Sequence, residues 1–203
     1  MRNDQKVLAD IYSRIIIESN GRKVIRGNID LRDLYLKELP EWLVDVEVEG
    51  AFFCNKNYLT TLKNAPKIVK GSFLCNYNIL ISLAGAPKTV VNDFYCDYNR
   101  LTTLQGAPDV KRGSFYCDYN RLTSLAGAPK TVGEDFYCDH NRLTTLAGAP
   151  EIVKGNFYCN NNRLKSLQGA PRIVKGYFVC HDNAVEFEEE DVEAVCDVEY
   201  ISV

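Results

Sequence analysis

The sequence predicts a solenoid, a β-dominated horseshoe of about eight stacked turns with a parallel sheet on its concave face and a helical cap at its N-terminus. Three observations predict it. Phenylalanine recurs as Phe52, Phe73, Phe94, Phe115, Phe136, Phe157 and Phe178, a constant step of 21 residues. The same step carries Cys54, Cys75, Cys96, Cys117, Cys138, Cys159 and Cys180, and also Asn57, Asn78, Asn99, Asn120, Asn141, Asn162 and Asn183. Six units hold the full string F-x-C-x-x-N-x-L-x-x-L-x-x-A-P, ending at Pro66, Pro87, Pro108, Pro129, Pro150 and Pro171. A fixed period of this length marks an architecture in which each unit buries its core only by stacking on its neighbours.

Each part of the unit follows from its residue types. The alternation F-x-C sends Phe and Cys to one side of a short strand and the intervening residue to the other. The recurring Asn is placed to bond backbone groups where the chain leaves that strand. Leu59, Leu62 and their equivalents fill the interior. Gly-Ala-Pro then turns the chain, and Pro excludes an ordinary helix there. Stacked turns place neighbouring strands about 4.8 Å apart.

A divergent turn precedes these units, Ile29-x-Leu31-x-x-Leu34-x-Leu36-x-x-Leu39, aligned at a step of 23. With it the chain resembles the leucine-rich-repeat family, whose core reads L-x-x-L-x-L-x-x-N/C-x-L. Phe and Cys stand at the two strand leucines, and the Asn ladder at the family's asparagine. The resemblance covers roughly residues 28–183. It is closest to the short bacterial repeats, also found in phage-encoded proteins, in which a Pro-containing extended stretch replaces the convex helix. Two departures predict local distortion. Lys111 stands where other units carry Val69, Val90, Val132, Val153 and Val174, with Val110 beside it. Glu134 stands where others carry Gly71, Gly113, Gly155 and Gly176, with Gly133 one place earlier.

The ends read as caps. Val7, Leu8, Ile11, Tyr12, Ile15 and Ile16 recur at helical spacing over residues 4–19, up to Asn20-Gly21, a helix stop. Residues 1–27 are therefore read as a helical cap, 28–183 as the solenoid and 184–203 as an acidic C-terminal cap. The tail holds Glu186, Glu188, Glu189, Glu190, Asp191, Glu193, Asp197 and Glu199, with no Lys or Arg. Val192, Val195 and Val198 at intervals of three predict a short closing helix. A solvated tail is the alternative.

Composition excludes little but directs the rest. Apolar residues make up 46% and charged residues 25%, ordinary for a globular chain, and the net charge is -3. Nothing in that balance calls for nucleic acid or an anionic membrane. No apolar run approaches the ~20 residues of a membrane span, and the N-terminus shows no cleavable secretory pattern. A cytoplasmic protein is expected. Seven of the eight cysteines follow the repeat, which makes them small inward hydrophobes, and many unpaired thiols suit a reducing compartment. Cys196 lies off the repeat and is expected to be partly exposed.

The resemblance also raises catalysis, because some bacterial proteins with similar repeats are ubiquitin ligases with a large C-terminal catalytic domain. About twenty residues follow the last repeat, too few for such a domain. Cys196-Asp197 is a superficial likeness to a catalytic Cys with a nearby Asp, and no Ser, His or carboxylate constellation appears elsewhere. Neither enzymatic activity nor a cofactor or metal is expected.

The informative residues are those the fold does not require. Between Phe and Cys, facing out from the concave sheet, stand Phe53, Leu74, Tyr95, Tyr116, Tyr137, Tyr158 and Val179. After Cys come Asn55, Asn76, Asp97, Asp118, Asp139, Asn160 and His181, and next Lys56, Tyr77, Tyr98, Tyr119, His140, Asn161 and Asp182. Arg100, Arg121, Arg142 and Arg163 follow the Asn ladder. Copying of one unit accounts for the uniformity, but not for like charges on adjacent strands, which repel. An aromatic stripe with charged borders has the composition of interface centres. The expected function is therefore protein–protein interaction, with Tyr95, Tyr116, Tyr137, Tyr158, Asp97, Asp118, Asp139, Tyr98, Tyr119 and His140 as the partner-binding surface. The expected partner is a protein with a basic patch, and a bacterial or phage protein that sequesters a host factor is the narrower form. Rival expectations are a structural solenoid that self-associates as a homo-oligomer, and nucleic-acid binding through Lys70, Arg112, Lys154 and Lys175 with Lys67, Lys88, Lys130 and Arg172. That flank lacks interleaved aromatics, so it is read first as a solvated face.

Overall fold

The computed structural model describes residues 3–203. Every turn contributes two short strands. The first ladder runs through Ile29–Asp30, Phe52–Phe53, Phe73–Leu74, Phe94–Tyr95, Phe115–Tyr116, Phe136–Tyr137 and Phe157–Tyr158 into the longer strand Ile173–Val179. It is parallel and strictly in register, Phe52 opposite Phe73, Phe73 opposite Phe94, and so on to Phe178. The period-2 alternation is observed: each Phe and Cys of the ladder is buried, while the residue between them is partly exposed in every unit but the last, where Val179 is buried. The seven rings stack along the axis with centroids 5.1–5.7 Å apart. Burying each contributes about 1.5–3 kcal/mol.

The second ladder comprises Lys23–Ile25, Val46–Val48, Ile68–Val69, Thr89–Val90 and Asp109–Val110, then, as a separate run, Thr131–Val132 and Ile152–Val153 joined to Ile173–Val179. The interruption lies where the sequence departs from the consensus. Val110, not Lys111, takes the inward place, paired with Val90 and 5% exposed. That leaves one extra residue before Phe115, and the excess breaks the pairing with Thr131–Val132. Burial of a valine outweighs the lost strand pairing here, because burying a lysine without a partner costs more.

Between the ladders, Leu59, Leu62 and their equivalents are buried, and the Asn ladder is bonded throughout. Asn120 Nδ2 donates to the carbonyls of Cys96, Cys117 and Asp118 at 3.0–3.2 Å, and its Oδ1 accepts the Leu101 N–H at 2.9 Å. Each Asn thus ties its own turn to the one before. A second polar ladder, which the sequence reading missed, lies immediately before the Phe positions. Side-chain oxygens of Asp93, Ser114, Asp135 and Asn156 accept the N–H of Ser114, Asp135, Asn156 and Tyr177 at 2.7–3.1 Å. Its signal was available, since all four are short polar acceptors at the 21-residue step. The convex turn uses a left-handed residue before Ala-Pro, Gly85 at φ +88 for example, where a Cβ would lie 2.7 Å from the Leu62 carbonyl carbon. Asn64 holds the equivalent place at φ +71, the kind of residue that tolerates it best after glycine.

The ends differ in detail from the sequence expectation. The N-terminal helix spans Asn3–Ser13 and lays Ile11 into the core, with Val7 and Leu8 packed against it and Tyr12 edge-on to Trp42 at 5.4 Å. It does not continue to Asn20. Ile16–Ile17 instead pairs antiparallel with Lys23–Ile25, as a β-branched run favours. Arg22 anchors that hairpin through Glu18 and Glu47, both at 2.9 Å. At the other end a one-turn helix, Glu189–Glu193, buries Val192. The element that closes the last turn is not this helix but a further parallel strand, Asp197–Ser202, which places Ile201 opposite Phe178. Cys196 is accordingly buried, 7% exposed, rather than partly open.

Candidate functional site

Four rows cross the concave side, each built by one position of the repeat. The inner aromatic row is Tyr95, Tyr116, Tyr137 and Tyr158, half-buried, with ring centroids 4.2–4.6 Å apart and planes within 9°. Strand pairing sets that spacing, and Tyr137 Oη donates to Asp135 Oδ2 at 3.2 Å.

The outer aromatic row is Tyr77, Tyr98, Tyr119 and His140, stacked at 4.2–4.5 Å. These residues share a backbone property invisible in the sequence. All are left-handed, with φ between 47 and 51. Lys56, Asn161 and Asp182 hold the same conformation in the flanking turns, so the fold imposes it and the ring does not. A non-glycine residue there costs on the order of 1–2 kcal/mol, which ring stacking at about 0.5–1.5 kcal/mol per pair offsets. Tyr77 was left out of the sequence-based surface, although its place at the 21-residue step marked it.

The aspartate row does not form the exposed charged border that was expected. Asp97 is only 7% exposed, and Asp118 and Asp139 are half-buried. Burial pushes the Asp97 carboxyl up to about 6, against an Asn76 hydrogen bond that lowers it. For Asp118, burial and then the neighbouring Asp97 and Asp139 carboxylates push it up to about 7. Asp139 is raised by burial, with His140 pulling the other way. Asp97 Oδ1 and Asp118 Oδ1 are buried without a hydrogen-bond partner, as are Asn55 Oδ1 and Asn76 Oδ1 in the same row. Near neutrality part of this row is protonated, which relieves the like-charge repulsion across the ladder. The premise for a basic partner, an open stripe of three carboxylates, therefore fails on burial.

The fourth row supplies the exposed charge. Arg100, Arg121, Arg142 and Arg163 are tied turn to turn by backbone bonds of 2.8–2.9 Å, and all are exposed. Among the described residues none of the four makes an ion pair, given the pairs that do form elsewhere. Between this row and the outer rings lies a groove of about 630 Å³, lined by Tyr77, Tyr98, Tyr119, His140, Arg121 and Arg142 with the Asn ladder at its floor. The basic flank on the other side is partly neutralised: Lys67 pairs with Asp45 at 3.1 Å, Lys70 with Glu49 at 3.0 Å and Lys130 with Glu151 at 3.8 Å. All eight thiols are free and buried.

Stacked turns of about 21 residues, an in-register parallel ladder and a bonded Asn spine define a leucine-rich-repeat solenoid fold with short turns. The chain is similar in structure to a Shigella effector leucine-rich-repeat domain, with a TM-score of 0.62 and 18% identity over 98% of this chain and 89% of that one. It is also similar to YopM from Yersinia enterocolitica WA-314, with a TM-score of 0.55 and 20% identity over 88% of this chain and 41% of that one. No family model matches the sequence, and no curated protein matches it. At these identities the likeness establishes the fold. Among the described residues no helix is long and apolar enough to cross a membrane.

Proposed function

We propose that this chain is a protein-recognition module that captures its partner on the concave face. The observation that carries the reading is the double aromatic array, two rows of four stacked rings each that run side by side across three shared turns. Neither row is needed to fill the core, which the Phe and Leu ladders complete. Tyr and Arg together are the residues most enriched where interfaces derive their energy. The stacked rings are also rigid before binding, so little side-chain entropy is lost on docking. The two structural neighbours named above are bacterial proteins, one of them described as an effector. That supports the narrower reading of a bacterial or phage protein that sequesters a host factor. Eight buried free thiols fit action in a reducing cytoplasm.

Affinity capture from the native cell with mass spectrometry names the partner, and titration calorimetry then tests the face. Tyr116→Ala combined with Tyr137→Ala leaves the fold intact by circular dichroism and weakens binding by more than ~2 kcal/mol. Lys154→Ala on the basic flank changes little. Wild-type affinity in the tyrosine pair, together with loss in the Lys154 variant, would move the site to the flank. A self-associating solenoid would instead show as a concentration-dependent mass in sedimentation without any partner.

A further inference from the structure

We infer that the groove between the outer rings and the arginine row receives an acidic helical segment of the protein partner, an inference that rests on the concave face being the recognition surface. Charge is the first argument. The groove's lining contains Arg121 and Arg142, and no carboxylate. In the nearest acidic row Asp97 is buried and Asp118 and Asp139 are half-buried, and Asp139 lies 3.8 Å from the His140 ring. Exposed guanidiniums without partners form two-pronged hydrogen bonds to carboxylates more readily than any other side chain.

Spacing is the second argument, and it selects a helix. The rungs of the arginine row repeat at the strand separation, about 4.8 Å. A helix laid along the solenoid axis presents one acidic residue per turn of about 5.4 Å. Over four rungs the mismatch accumulates to roughly 2 Å, within the reach of an arginine side chain. An extended strand presents same-side residues about 6.6 Å apart and drifts by roughly 5 Å over the same rungs.

Ring geometry is the third argument, and it disfavours a nucleic acid. Single strands bind by laying bases on open aromatic faces. Here the faces of Tyr98 and Tyr119 are covered by their neighbours at 4.2–4.5 Å, and only ring edges and hydroxyls meet the groove.

The test measures fluorescence anisotropy at low salt with four probes. They are a stapled peptide of ~15 residues, near the minimum for a stable helix, with Glu on one face at each turn; an isomer with Glu scattered round the helix; a Lys counterpart; and an oligothymidylate of similar length. The Glu-faced helix should bind about ten-fold or more tightly than the scattered isomer, and the Lys peptide should not bind. Arg121→Glu with Arg142→Glu should weaken it by a further order of magnitude, roughly 1.4 kcal/mol, whereas Arg112→Glu with Lys175→Glu on the opposite flank should not. Equal binding of the two Glu isomers overturns the inference, as does oligothymidylate binding that is tighter and lost in the same arginine variant. The captured native partner separates the two readings. If its binding falls with the Tyr116 and Tyr137 substitutions but ignores the arginine reversal, the acidic-helix inference fails and the concave-face reading stands. If it ignores both, both fail.

Discussion

The rings of Tyr98 and Tyr119 lie 4.3 Å apart and within 8° of parallel, although both residues sit in the left-handed region at φ 47 and 49. Stacking and backbone strain therefore act on the same residues with opposite sign. Substitutions at Tyr119 separate them. Tyr119→Ala keeps the strain and removes two stacked contacts, with Tyr98 and His140, and should destabilise by about 1–3 kcal/mol. Tyr119→Gly loses the same contacts but relieves a strain of about 1–2 kcal/mol, and should lie within ~1 kcal/mol of wild type. Urea unfolding reads both. A glycine variant no more stable than the alanine variant would show that the left-handed backbone carries no cost here.

The Asn spine predicts a gradient along the axis. Asn120 is buried and bonded on both amide ends, so Asn120→Ala strands backbone groups with no other partner and should cost about 1–3 kcal/mol. Asn183 makes the same kind of bonds, including one of 2.7 Å to the Cys180 carbonyl, but is partly open to water, which can replace it. Asn183→Ala should therefore cost less. Equal losses at the two positions would place Asn183 as deep as Asn120.

The aspartate row predicts an unusual dependence on pH. Folding raises the Asp97 carboxyl to about 6 and Asp118 to about 7, from the ordinary 3.8. The folded state then holds protons more tightly than the unfolded one. This contribution to stability is fully present below about pH 4 and is lost as pH rises through 6 to 7. Asp118→Asn keeps the shape and removes the charge, so it should flatten that fall. Its midpoint temperature at pH 8 should exceed the wild type's, by about 2–4 °C for each kcal/mol in a chain of this size. A variant less stable than wild type at pH 8 would mean that the ionised Asp118 is favourably paired.

Thiol reactivity should follow depth. Burial pushes the Cys96 and Cys117 thiols well above the ordinary range, while Cys180 and Cys196 rise only to about 11. Native protein should react slowly with a thiol reagent, Cys180 and Cys196 first, and all eight should react on denaturation. Prompt reaction at Cys96 or Cys117, located by peptide mapping, would show that the ladder opens.

The sequence by itself determined the repeat, the inward Phe and Cys, the Asn spine and the outward place of Tyr95, Tyr116, Tyr137 and Tyr158. Each of these depends on alternation within a strand or on a period that keeps equivalent residues in register, and both are readable as spacing. Tertiary structure alone decided what stacking does to side chains that leave the strand. Asp97 follows Cys96 just as Tyr95 precedes it, yet it is buried and half-protonated near pH 6, because its surroundings come from the turns above and below and not from its own. The left-handed backbone of Tyr98, the shift that brings Val110 inward and the strand Asp197–Ser202 have the same origin. Each is settled by which arrangement buries the most apolar surface against a neighbour while leaving the fewest polar groups unpaired, a comparison between turns that no single unit of the sequence contains.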